Sequence, residues 1–163
     1  MASKQIIEKK EKSKKALLKV DESEGRMPLI CLMTDDESSE IIKMIEGVEA
    51  LGVHLVIAEK HPVCLHKAKS TMCGVSQKEA LEAADIAIVF NAEDIATARK
   101  FGCVPVAPEL NVATVNYNPV QEKGNGFYFK NTTAWDIFAA LVRALETYQF
   151  PYDWDNVLKA AQK

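Results

Sequence analysis

The chain has 163 residues, the length of a single domain (about 100–150 residues is typical), and a chain of this size buries roughly 70% of its unfolded surface without a disulfide or metal staple. With 48% hydrophobic and 26% charged residues it has the composition of a folded globular protein, which excludes disorder. A net charge of −3 gives no global positive field for nucleic acid, and no apolar run approaches the roughly 20 residues of a membrane span.

The first twenty residues carry seven lysines against two glutamates, a net of +5, so the remainder carries −8. MASKQIIEKKEKSKK has neither an apolar core nor a cleavage site, so a secretory signal is not expected and the location expected is cytoplasmic. Ile6, Ile7, Leu17, Leu18 and Val20 predict a helix with one docking stripe, and the lysines read as a solvated face rather than a nucleic-acid arm. Residues 1–27 are thus a basic helix and linker, and 28–163 the domain proper.

From Pro28 the periods alternate. Leu29–Met33, Val53–Ala58, Ile86–Phe90 and Val104–Ala107 are short apolar runs expected as buried parallel strands, with Cys73–Val75 and Gly126–Phe129 as shorter extended pieces. Between them, helical spacing predicts a helix starting at Asp35–Ser39 and ending near Gly52, then helices over Lys78–Ala84 and Ile95–Phe101, with Gly102 as a stop. Pro62–Met72 reads as a short helix. Thr133 and Asp136 open a strong helix to Tyr148, and Pro151 precedes a last amphipathic one. Strands alternating with helices of this length make a Rossmann-like, three-layer α/β/α domain with a parallel sheet.

Four cysteines (Cys31, Cys64, Cys73, Cys103) lie in apolar stretches, where reduced packed thiols are expected. His61, Cys64, His66 and Cys73 do not match a zinc-ligand spacing, so neither a metal nor a cofactor is expected. In an open parallel sheet ligands bind beyond the carboxyl ends of the strands. The loop after the first strand is Thr34-Asp35-Asp36-Glu37-Ser38-Ser39-Glu40, with no glycine between Gly25 and Gly47. Like charges about 4 Å apart cost on the order of 1 kcal/mol in water and several at a partly buried site, so this loop makes no conventional phosphate cradle. Two explanations of the acidic run stay open: helix-capping residues, or the magnesium site of a receiver-like signalling domain built on Asp35 and Asp36. For the latter, Asp85 lies at the wrong end of its strand and Ile86–Phe90 ends at Asn91 instead of an aspartate. No nucleophile elbow or Cys–His pair is present in the sequence pattern.

Four stretches in order resemble one family: KSKKALLKVDESEGRMPLICLMT; ALEAADIAIVF; RKFGCVPVAP followed by TVNYNP; and GNGFYFKNTTAWDIFAALVRALETYQFPYDW. Together they span about Lys12–Lys163 and are similar to the carboxyl-terminal, nucleotide-sugar-binding half of bacterial glycogen synthases and plant starch synthases. The resemblance implies half of a two-domain glucosyltransferase fold, with ADP-glucose or UDP-glucose as ancestral donor. It also implies where the donor site should lie. The arginine and lysine that clamp the diphosphate in the family fall at Asp35 and Glu40. The family's F-E-P-C-G-L loop is shortened to Phe90-Asn91-Ala92-Glu93-Asp94, where Glu93 is the substitute carboxylate. Its T-G-G-L loop becomes Pro108-Glu109-Leu110-Asn111.

With the clamp reversed in charge, the resemblance implies a degenerate, non-catalytic domain acting as a binding or interaction module. The alternative is a fragment or subunit that still binds nucleotide sugar. Candidate partners are a second copy, a synthase-like chain, an α-glucan or a nucleotide sugar. Trp135, Tyr148, Phe150, Tyr152 and Trp154 are candidates for an exposed partner or sugar surface, or for core packing of the last two helices.

Overall fold

Leucine, isoleucine and valine runs with no polar interruption demand burial on both faces, and a parallel sheet between helix layers supplies it. The computed structural model describes residues 3–19, 27–59, 70–110 and 113–163. Its strands are β1 (Leu29–Leu32), β2 (His54–Ala58), β3 (Thr71–Val75), β4 (Ile86–Ile88), β5 (Val104–Pro108) and β6 (Phe127–Phe129). They form one sheet in the order β3-β2-β1-β4-β5-β6, with every neighbouring pair parallel. The helices are α1 (Ser3–Leu18), α2 (Ser39–Ala50), α3 (Gln77–Ala83), α4 (Ala92–Lys100), α5 (Ala134–Tyr148) and α6 (Pro151–Ala161). This is the Rossmann order, whose direction reverses between β1 and β4. A receiver has the order 2-1-3-4-5, so the receiver-like alternative does not fit this sheet.

Alternation within the strands sorts the core into two layers. Ile30, Leu32, Ile86, Ile88 and Phe127 pack with Ile41, Met44 and Val48 of α2, Ile137 and Leu141 of α5 and Trp154 of α6. Leu29, Cys31, Val56, Ala87 and Tyr128 face the other way, onto Ala80 and Leu81 of α3 and Ile95 and Ala98 of α4. Burial of each Ile or Leu contributes about 1.5–3 kcal/mol. Burial also pushes the Cys31 and Cys103 thiols up, so both are poor nucleophiles at neutral pH.

The helix starts follow local chemistry. Ser76, Asn91 and Thr133 accept from the backbone N–H of Glu79, Asp94 and Asp136 respectively, the geometry of an N-cap. Asp35–Glu37 do not belong to α2, contrary to expectation. Thr34 accepts from Asp36 N–H and Asp36 from Ser38 N–H, and these local bonds hold the segment as a loop so that the helix begins at Ser39. Most of the short helix expected over 62–72 lies outside the described residues, and Thr71 and Met72 are strand.

The basic amino-terminal segment is a helix, as its spacing predicts, but it is not simply a solvated lysine face. Ile6 packs on Gly102, where φ is +75° and a Cβ would lie 2.6 Å from the Ile6 Cγ2. One and two turns on, Lys10 and Lys14 are buried. Lys10 Nζ donates to the Leu81 and Ala84 carbonyls at the end of α3, which lack intrahelical donors and which the Cys103 thiol also meets at 3.3 Å. Lys14 Nζ sits 2.7 Å from an Asp85 carboxylate oxygen and donates to the Met27 carbonyl at 2.8 Å. Asp85 also accepts from Leu29 N–H, which joins α1 to the first residues of β1 and β4. Burial pushes the Asp85 carboxyl up, against the pull of Lys14, Leu29 N–H and Lys10. For Lys14, burial works to lower the pKa, but Asp85, Tyr148 and Glu11 together hold the ammonium above its ordinary value.

Candidate functional site

The switch in strand order places the carboxyl ends of β1 and β4 side by side, and a cleft of about 250 Å³ opens there. Met33, Thr34 and Asp35 line it from β1, Ala58 and Glu59 from β2, and Phe90, Asn91 and Asp94 from β4 and α4; Gln77 of α3 completes it. The charged residues among these are Asp35, Glu59 and Asp94, all acidic, with no lysine or arginine among the described lining residues.

Helix amino termini are where such a cleft would hold a phosphate, because their first N–H groups lack intrahelical partners. At α3, α4 and α5 the chain's own oxygens take one or two of these groups, whereas Ser38 at the start of α2 makes no side-chain cap bond. Glu59 Oε1 accepts from Gln77 N–H at 3.1 Å at the start of α3. At α4, Asn91 Oδ1 accepts from Asp94 N–H at 2.8 Å while the Asn91 amide donates to the Asp94 carboxylate at 2.7 Å. At α5, Glu40 Oε2 accepts from Ala134 N–H at 2.7 Å and Thr133 from Asp136 N–H at 3.2 Å. A carboxylate at a helix amino end is also favoured by the helix dipole, so these contacts are stable without a ligand.

The expected site residues are thereby dispersed. Asp35 lies on the cleft and is exposed. Glu40, half-buried, turns from it to α5. Glu93 is exposed in the first turn of α4 and is not among the described residues that line the cleft. Pro108 ends β5, and Glu109 N–H donates to the Phe129 carbonyl at 2.9 Å. Leu110 N–H donates to Thr114 Oγ1 at 2.8 Å, and Asn111 lies outside the described residues. Glu59 and Asp94 were missed by sequence reasoning. Their position, directly after a strand or in the first turn of the next helix, was the available signal.

Of the candidate zinc set, His61, Cys64 and His66 lie outside the described residues, and Cys73 is disulfide-bonded, so it is not one of the reduced thiols expected. The aromatic candidates divide: Trp154 and Tyr148 pack edge to face in the core at 5.0 Å, whereas Trp135, Phe150 and Tyr152 are exposed. Among the described residues no helix is long and apolar enough to cross a membrane.

Comparison with known proteins agrees with this architecture. The chain is 35% identical over 69 residues to glycogen synthase 1 of Synechocystis, a stretch covering 40% of this chain and 14% of that protein. It is 33% identical over 69 residues to the glycogen synthase of Geobacillus thermodenitrificans, with the same coverage. The matched stretch therefore spans about one seventh of these relatives. The catalytic domain of Arabidopsis thaliana starch synthase IV, solved with ADP and acarbose, superposes with a TM-score of 0.73 at 19% identity, over 94% of this chain and 38% of that one. A putative UDP-N-acetylglucosamine 2-epimerase of Listeria monocytogenes gives a TM-score of 0.55 at 14% identity, over 89% and 45%. No protein-family model matches the chain.

Proposed function

We propose that this chain, a glycogen/starch-synthase-like domain of Rossmann-like glycosyltransferase fold, is a non-catalytic binding module whose donor site has been closed. One observation carries this: the cleft at the strand switch point is ringed by Asp35, Glu59 and Asp94, and one N–H at the start of each of α3 and α4 is bonded to the chain's own Glu59 and Asn91. A diphosphate entering there meets like charge and finds these donors engaged. Transfer of a sugar from a nucleotide rests on positioning and charge stabilisation, and such a cleft supplies neither.

The ligand class we carry over is an α-glucan, since the relatives are named glycogen synthases and acarbose accompanies ADP in the starch synthase IV structure. A second reading is a subunit that still holds nucleotide sugar. It takes support from the ADP bound in that same structure, and it requires positive charge from a second copy or a synthase-like partner chain.

Calorimetric titration with ADP, ADP-glucose and UDP-glucose, run on the chain alone and again with a synthase-like chain added, separates the two. The expected result is no binding by the parent chain. Micromolar binding would overturn the closed-site proposal and favour the subunit. In Asp35→Arg, which replaces an acidic residue of the cleft by a basic one, weak ADP binding is the expected gain.

A further inference from the structure

The unclaimed feature is a groove between α2 and α5, of about 510 Å³, lined by Met44, Gly47, Leu51, Trp135 and Phe138 with Glu40 and Lys43 beside them. Trp135 is 79% exposed, an unusual position for the largest apolar side chain. Its ring meets Phe138 edge to face, 6.5 Å between centroids and 84° between planes. Phe138 in turn lies against Gly47, where a Cβ would come within 3.1 Å of its ring. The indole is thus braced by Phe138 and not packed into the core.

The polar residues beside it are a matched pair. Glu40 Oε2 is held by Ala134 N–H, and Glu40 Oε1 faces Lys43 Nζ at 3.6 Å. The rim therefore offers both acceptor and donor with no net charge, which favours neither an anion nor a cation. An aromatic plate beside a neutral donor–acceptor pair complements a ligand with an apolar C–H face and a hydroxyl edge, which is the chemistry of a sugar ring. A protein partner is less well served. Trp135 and Leu51 are the exposed large apolar residues among the described lining, well short of the roughly 800 Å² per partner that a stable dimer buries.

We infer that the α2/α5 groove is a surface site for an α-glucan chain, with a glucosyl ring stacked on Trp135 and hydroxyls bonded to Glu40 and Lys43. The choice of α-glucan rests on the ligand class proposed above. The groove is separate from the closed donor cleft.

The test is titration of the full chain with maltoheptaose, read by calorimetry and by tryptophan emission, in the parent, Trp135→Ala and Trp135→Phe. Trp154 is buried, so an emission change reports on Trp135. The parent is expected to bind with a blue shift, Trp135→Ala to lose roughly tenfold in affinity at an unchanged melting temperature, and Trp135→Phe to keep most of it. Binding that Trp135→Ala leaves intact would overturn the groove while leaving glucan as the ligand of the module. Absence of maltoheptaose binding would overturn both the groove and the glucan, and nucleotide titration would still decide the closed donor site. A parent dimer that Trp135→Ala turns into a monomer would make the groove a self-contact and overturn the glucan site.

Discussion

The two ends of the sheet handle charge in opposite ways. At the amino ends of the strands, positive charge is buried: Lys10 caps the carbonyls that end α3, and Lys14 is paired with Asp85 beneath α1. At the carboxyl ends, negative charge lines the cleft, and Glu59 and Asn91 each accept from an N–H at the start of α3 or α4. The first arrangement ties an added helix to the domain at a desolvation cost that only full hydrogen bonding offsets. The second leaves a ligand cleft with little to offer an anion. The ends of a parallel sheet thus diverge by which backbone groups they expose. Carbonyls at the end of α3 draw in lysine, and amides at the start of α3, α4 and α5 draw in oxygen.

The comparison breaks most visibly at Lys14. Lys14→Met should cost about 3–5 kcal/mol in chemical denaturation, because it strands the Asp85 carboxylate in the interior. Adding Asp85→Asn should recover part of the loss. The pH dependence gives the sign. Without the lysine, Asp85 in the folded state titrates above its unfolded value, so its variant is least impaired in acid and loses stability as pH rises through the carboxylate range. In the parent, the raised Lys14 value makes its contribution complete below the ordinary lysine value of 10.5 and lost as pH climbs past its higher folded value.

A smaller effect is expected at Glu40, whose bond to Ala134 N–H acts as a cap across two helices. Glu40→Ala should lower stability by about 1 kcal/mol, seen as a shift of the thermal midpoint. The smallest sharpens the opposite edge. Asp35→Asn should change stability by less than about 0.5 kcal/mol, since Asp35 is exposed. Phosphate should then bind better than to the parent at low salt, with the gain fading at high salt, because one of the cleft's carboxylates is gone.

Much of this was legible in the residues. The apolar runs predicted the strands within a residue or two at most ends, because burial on both faces leaves no other use for LICL or IAI. Thr133 and Asp136 marked the start of α5, since a cap is local chemistry. The absence of glycine after β1 already spoke against a phosphate loop. The basic segment was only half legible: Ile6 belongs to a docking stripe, while Lys10 and Lys14 in the same stripe read as solvent-facing. Their acceptors lie 71 or more positions away for Lys10, at Leu81 and Ala84, and at Asp85 for Lys14.

Periodicity, caps and missing glycines are properties of neighbours along the chain, so the amino-acid order alone determined the layered fold and a loop after β1 without glycine. Tertiary structure alone decided where each charge ends up. Glu40 faces α5 instead of the cleft, Glu59 and Asp94 join Asp35 there, and Trp135 stands exposed while Trp154 is buried. These outcomes depend on which distant backbone groups and helix faces meet once the sheet is assembled, and no local pattern encodes such a meeting.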